Sequence, residues 1–203
     1  MRVETVPLGA LSTNCFLLHD NGHGIVIDPG GDPLELVELC RAQDIIPELI
    51  LATHGHFDHI GGVAPLKREW DIPYAISSLD RVHYTKTRLQ AETFGIFGVE
   101  SSPEPDIDLD GKPFIASDNF ELEIIPTPGH SEGSITFRIE NHLFVGDLIF
   151  EGSVGRTDFL GGSTETLIDS VQAHIFTLDE GIIYPGHGSQ TTVEIEKKSN
   201  PFF

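Results

Sequence analysis

The sequence predicts an α/β fold with its functional site along one sheet edge, and three observations carry that prediction. Apolar, β-favouring runs alternate with polar loops and amphipathic helical stretches along the chain. Five of those runs end in turns bearing Gly or Pro together with His or Asp, around Asp28, His54, His130, Asp147 and His187. With 203 residues and 39% hydrophobic content, the chain can bury a real core, and a single domain over 1–203 is expected.

Residues 3–8 and 15–19 read as two short strands joined by a polar turn, and Asn21-Gly22-His23-Gly24 is a tight hairpin signal. Ile25-Val26-Ile27 is a β-branched run of the kind buried on both faces. It stops at Asp28-Pro29-Gly30-Gly31, where Asp28 either forms the turn or serves the site. From Asp32-Pro33 a helix places Leu36, Leu39 and Cys40 on one face and must end before Pro47.

A strand over 48–53 runs into Thr53-His54-Gly55-His56-Phe57-Asp58-His59, three imidazoles and a carboxylate within seven residues. Such a set suits zinc, iron or manganese, and its lack of thiolates argues against a closed structural zinc finger. Helices are then expected over 59–70 and 78–91, with a short strand over 72–76 between them. His83, beside Arg81 and Tyr84, reads as a surface or half-buried residue and not as a ligand. The irregular segment 92–111 carries Phe94, Ile96 and Phe97, which serve either as a lid over bound substrate or as core and dimer contacts.

Strict alternation over 119–124 predicts a strand with Phe120, Leu122 and Ile124 facing a core; it leads to Pro128-Gly129-His130. Residues 134–139 and 142–145 form a hairpin whose second arm ends in Gly146-Asp147, with His142 as a solvated turn residue. A glycine-rich loop over 152–162 holds Arg156 and Asp158. Thr164 is expected to cap a helix with the stripe Leu167, Ile168, Val171 and Ile175. The strand 181–184 ends in Pro185-Gly186-His187, and a last helix starts at about Thr192, with Lys197-Lys198 as its solvated end.

A formal charge of −20 repels phosphate backbones, so no nucleic-acid partner is expected. No run approaches the roughly 20 apolar residues of a membrane span, and the start of the chain carries no secretory pattern. A cytoplasmic protein without membrane attachment is the expectation. Cys15 and Cys40 sit in apolar contexts and read as buried free thiols.

Together these turns resemble the metallo-β-lactamase superfamily pattern T-H-x-H-x-D-H, then P-G-H, G-D and G-H, here His54, His56, Asp58, His59, His130, Asp147 and His187. The resemblance implies an αββα sandwich, two mixed β-sheets flanked by helices with two divalent metals at one edge. It implies zinc first, with iron or manganese as alternatives. His54, His56 and His130 would bind one metal, Asp58, His59 and His187 the other, and Asp147 would bridge them. Asp58 and Asp147 would then act with a hydroxide held on the metals, while Asp28 would orient a ligand imidazole from behind.

Within that superfamily the chain is similar to glyoxalase II, through Thr13-Asn14-Cys15-Phe16-Leu17-Leu18, Ile27-Asp28-Pro29-Gly30, Gly146-Asp147-Leu148-Ile149-Phe150 and Gly155-Arg156-Thr157-Asp158. It is similar to the short members, without the C-terminal helical domain of larger ones. The implied activity is hydrolysis of S-lactoylglutathione or a related acyl thioester, a small-molecule substrate. Arg156 stands where the family carries a basic residue for a glutathione carboxylate; pairing with Asp158 is its other reading. Phe94 and Phe97 are candidate substrate contacts or members of a homodimer interface. The tyrosine usual beside that basic residue is replaced by Thr157 and Asp158. Rival activities on the same fold are a mononuclear-iron persulfide dioxygenase using His54, His130 and Asp147, and a lactonase. β-Lactam hydrolysis is disfavoured by the absence of cysteine among the candidate ligands.

Overall fold

Side-chain alternation within single strands decides the architecture. In the computed structural model, which describes residues 1–203, strand β2 (Thr13–Asp20) sends Cys15 and Leu17 into one core cluster and Phe16 and Leu18 into another. Strands β3 (His23–Ile27) and β4 (Ile46–Leu51) divide likewise, Val26 and Ile50 on one side, Ile27 and Leu51 on the other. A strand that is apolar on both faces has to be covered on both. These three form the middle of a six-stranded mixed sheet, with β1 (Arg2–Leu8) at one edge and β5 (Tyr74–Ile76) and β6 (Ile107–Asp108) at the other.

The second sheet contains β7 (Phe114–Ala116), β8 (Glu121–Pro126), β9 (Ile135–Ile139) and β10 (His142–Gly146) in antiparallel succession. After a small hairpin of β11 (Ile149–Phe150) and β12 (Ser153–Val154), β13 (Ile182–Pro185) adds parallel to β10, and β14 (Thr191–Thr192) closes that edge. The shared core lies between the sheets, where Phe16, Leu18, Ile27 and Leu51 meet Leu122, Phe137, Phe144 and Tyr184. Helices α1 (Leu34–Ala42) and α3 (Val63–Trp70) cover the outer face of the first sheet. Helices α6 (Thr164–Ser170), continued by a π turn over Val171–Ile175, and α7 (Val193–Ser199) cover the second. The expected four-layer sandwich of two mixed sheets is therefore present.

Several local expectations are corrected. The helix expected over 59–70 is two pieces, α2 (Phe57–Ile60) and α3, because Gly61 and Gly62 press on the loop after β3. The Gly62 amide donates to Pro29 O at 2.7 Å, and a Cβ on Gly62 would lie 2.4 Å from Gly31 O. The helix over 78–91 is likewise a 3₁₀ turn (Ser78–Asp80), α4 (Arg81–Tyr84) and α5 (Thr87–Thr93). Ser163, not Thr164, caps α6, its hydroxyl accepting from the Thr166 amide at 3.2 Å. His142 begins β10 and pairs through Nδ1 with the Tyr184 hydroxyl at 3.0 Å, so it is a strand residue and not a solvated turn. Ion pairs Arg68–Glu100, Arg81–Glu104 and Lys67–Asp106 tie the irregular segment after α5 to the helices beside it.

Within each sheet, the predicted turns leave strands that run the same way. Strands β3 and β4 are parallel, as are β10 and β13, while β8 is separated from β10 by one antiparallel neighbour and so shares its direction. The sheets are joined at this edge by the Ile135 amide, which donates to Thr53 O at 2.9 Å.

Candidate metal centre

The turn after β4 is held open by a carboxylate from the turn after β3. Asp28 is fully buried and keeps a left-handed φ of 54°, a strained conformation of the kind that clusters at functional sites. Its Oδ1 accepts from the Thr53 amide at 2.7 Å, and its Oδ2 accepts from Thr53 Oγ1 at 2.7 Å and from His59 Nδ1 at 2.9 Å. Because the Thr53 hydroxyl proton is committed to Asp28, its oxygen can accept from His54 Nδ1 at 3.1 Å. Asp28 thus orients two imidazoles, His59 directly and His54 through Thr53, and turns each Nε2 inward. His130 is set the same way, its Nδ1 donating to Arg156 O at 2.7 Å.

The inward atoms converge. His56 Nδ1 lies 2.8 Å from His130 Nε2, His59 Nε2 lies 3.3 Å from Asp147 Oδ1, and His187 Nε2 lies 3.2 Å from Asp58 Oδ2. Three overlapping donor sets result, each with its ligand atoms within 4.8 Å: His54, His56, His130; His54, His59, Asp147; and Asp58, His59, His187. The structure thus brings together all seven predicted ligand residues, with Asp147 among both halves.

Three inward atoms, His54 Nε2, His59 Nε2 and Asp147 Oδ1, are buried without a hydrogen-bond partner. Buried polar atoms are seldom left so, and a set of imidazole nitrogens and a carboxylate oxygen facing a common point is the donor chemistry of a divalent cation. Gly186 shows the same need for space, since a Cβ there would lie 2.5 Å from both Asp147 Oδ1 and His59 Cε1. The residues present therefore fit a two-metal site.

Electrostatics divides the imidazoles into two kinds. Burial, reinforced by the neighbouring imidazoles, drives His54 well below the usual histidine range and His56 down to about 3. Both stay neutral, as ligands must. Burial also opposes charge on His59, but the carboxylates of Asp147, Asp28 and Asp58 outweigh it and pull the ring well above the usual range. His187 is likewise raised against its burial by the Asp58 hydrogen bond and by Asp147. Metal entering the second set must therefore expel protons at neutral pH, and affinity should climb with pH until those raised pKa values are passed. Zinc titrations of chelated protein in buffers of different ionisation enthalpy should show this as a buffer-dependent heat; equal heats would contradict it.

The centre opens into a cleft of about 690 Å³ that includes His56, Asp58, His130, Asp147 and His187. Phe94, Phe150, Phe159 and Val154 form its apolar side. Phe94 packs against Phe57 with tilted rings whose centres are 5.4 Å apart, and it lines the cleft as predicted. Phe97 does not: it is 78% exposed and borders a separate hollow with Gly30, Pro33 and Pro65. Arg156 lines the cleft, but its Nε and Nη2 donate to Asp158 at 2.7 Å each, and its guanidinium lies 3.8 Å from the Phe159 ring centre.

Two cleft residues escaped the sequence reading. His83, expected near the surface, is 95% buried against the His56 ring, with Nε2 donating to Leu160 O at 3.1 Å. Lys86 is the other cation of the cleft and forms no ion pair. Neither belongs to a motif in the sequence; His83 lies within α4 and Lys86 immediately before α5.

A family model described as the metallo-beta-lactamase superfamily matches residues 8–187. Hydroxyacylglutathione hydrolase GloC of Haemophilus influenzae is 36% identical, with 100% of this chain and 98% of that protein covered. Among solved structures, the BLEG-1 B3 metallo-beta-lactamase superposes with a TM-score of 0.92 at 32% identity, covering 99% of each chain. TTHA1623, crystallised in a di-iron-bound form, superposes with a TM-score of 0.90 at 35% identity, covering 98% of this chain and 100% of the other. Motif, four-layer fold and converging donors thus agree with the sequence likeness, and the chain belongs to the metallo-β-lactamase superfamily.

Proposed function

We propose that this chain is a two-metal thioesterase acting on an anionic acyl thioester of the S-lactoylglutathione class. The observation that carries the proposal is the double donor set opening into an apolar cleft, in a chain 36% identical over its whole length to a hydroxyacylglutathione hydrolase. His54, His56 and His130 would hold one ion, Asp58, His59 and His187 the other, and Asp147 both. When bound, such a pair supplies Lewis acidity and lowers the pKa of water to about 7.

The chain's own residues do the rest. Asp28 keeps the His59 and His54 rings in the tautomer that leaves Nε2 free. Asp58 Oδ2, which accepts from Thr13 Oγ1 at 3.2 Å and faces His187 Nε2 at 3.2 Å, is fixed at the cleft floor; burial opposes its charge, but His59 and His187 lower its pKa and keep it ionised. Phe94, Phe150 and Phe159 exclude water from around the thioester. Lys86 offers an unpaired ammonium to a carboxylate of the thiol carrier, a useful exception in a chain of net charge −20.

Metal analysis joined to activity tests the reading. About two ions per chain, with thiol released from S-lactoylglutathione and no oxygen consumed, is the expected result. One iron per chain with oxygen uptake on glutathione persulfide would replace it with the dioxygenase. β-Lactam hydrolysis is a second reading, favoured by the BLEG-1 likeness, and turnover of a β-lactam without thioester turnover would establish it. His56→Ala should lower metal content along with rate. Lys86→Ala should raise KM for the anionic thioester about two- to fivefold, the scale of an exposed ion pair, and leave KM for an uncharged thioester alone. If Arg156 leaves Asp158 to clamp the substrate, Arg156→Ala will discriminate between the two thioesters in the same way.

A further inference from the structure

We infer that Asp80 is the positioning residue that sets the His54–His56 turn against the His130 turn, an inference that rests on the metal-site reading above. Asp80 is fully buried and stands immediately before α4, where an aspartate ordinarily caps the helix, yet its side chain makes no cap bond. Its carboxylate faces the other way. Oδ2 accepts from the Gly55 amide at 2.7 Å and from Ser131 Oγ at 2.8 Å, while Oδ1 accepts from the Gly133 amide at 2.8 Å.

Those donors come from two turns on different sheets. Gly55 lies between His54 and His56 in the turn after β4; Ser131 and Gly133 follow His130 in the turn after β8. Asp80 forms no ion pair, so these three groups satisfy the carboxylate, and a buried carboxylate strongly resists losing them. Both turns are also shaped to admit it. A Cβ on Gly133 would lie 2.8 Å from Asp80 Oδ1, and one on Gly55 would lie 3.1 Å from Asp80 Cβ.

Asp80 has no hydrogen bond to an imidazole. It acts on His54, His56 and His130 by fixing the backbone that presents them, whereas Asp28 bonds His59 directly and reaches His54 through Thr53. The two buried carboxylates therefore divide the work. Loss of Asp80 should loosen the three-imidazole set and spare the Asp58, His59, His187 set.

The test is zinc titration of the chelated full-length protein by calorimetry, with unfolding of the metal-free form measured alongside. In Asp80→Asn, which sets an amide NH₂ against incoming donors, one uptake step should weaken at least tenfold, the scale of lost supporting contacts, and the other should stay within threefold. The pattern should match His56→Ala and not His187→Ala. Ser131→Ala removes one donor of three and should weaken the same step by a smaller factor; it carries the test if Asp80→Asn does not fold. Both steps within threefold of wild type in a folded variant would overturn the inference, as would equal weakening of both. A wild-type chain that takes up no metal would overturn the metal reading and this inference together, whereas a two-metal wild type with indifferent variants overturns this inference alone.

Discussion

Asp147→Ala is expected to strip most of the bound metal and lower turnover by more than 100-fold, beyond the 10- to 100-fold typical of losing an outer contact. The reason is placement. Asp147 follows Gly146, whose φ of 53° and lack of a side chain let β10 turn sharply past Thr53; a Cβ there would lie 2.3 Å from Thr53 Oγ1. The carboxylate then faces His59 at 3.3 Å, His130 at 3.6 Å and His187 at 3.7 Å. Burial would raise its pKa, but these imidazoles, His59 foremost, hold it well below the usual carboxylate range. It is the one carboxylate that faces histidines of both sets. Elemental analysis of the purified variant checks the prediction, and undiminished metal would remove Asp147 from its assigned place.

Phe144→Ala should destabilise the metal-free protein by about 3 to 5 kcal/mol, the usual cost of emptying a large aromatic site. Phe144 is fully buried between the sheets, with ring centres 5.3 Å from Phe16 and 5.0 Å from Tyr184. Phe16 comes from the first sheet and Tyr184 from the second, so the deleted ring is one that both halves pack upon. Urea unfolding of chelated protein measures the loss without the contribution of bound ions. A shift below about 1 kcal/mol would show that the neighbours collapse into the gap.

Much of this was legible in the sequence because period-two alternation and β-branched runs report burial residue by residue. Those patterns mark the strands through Ile27, Ile124 and Tyr184, and the ligand-rich turns follow directly from where those strands end. Helix continuity was less legible. The break at Gly61-Gly62 depends on the Pro29–Gly31 backbone pressing against it from more than 30 residues away in sequence. Asp80, between Leu79 and Arg81, looks like any solvent-facing acid of a helix; only the meeting of the turns at Gly55 and Gly133 makes it a buried one. Phe94 and Phe97 are three residues apart with the same chemistry, and the positive φ at Gly95, 75°, helps send the second away from the cleft that receives the first.

The Ile135 amide bonded to Thr53 O and the Asn14 amide bonded to Gly186 O at 2.7 Å are direct backbone links between the sheets at this edge, and the donor sets lie beside them. His54, His56, Asp58 and His59 belong to the half of the molecule built on β4; His130, Asp147 and His187 belong to the half built on β8, β10 and β13. Any cation held there acts as a rivet through two plates. Its binding free energy becomes adhesion between the halves, so the melting temperature will track free metal concentration. Amide exchange in the chelated protein should then be fastest where the plates first part, at the Ile135 and Asn14 amides.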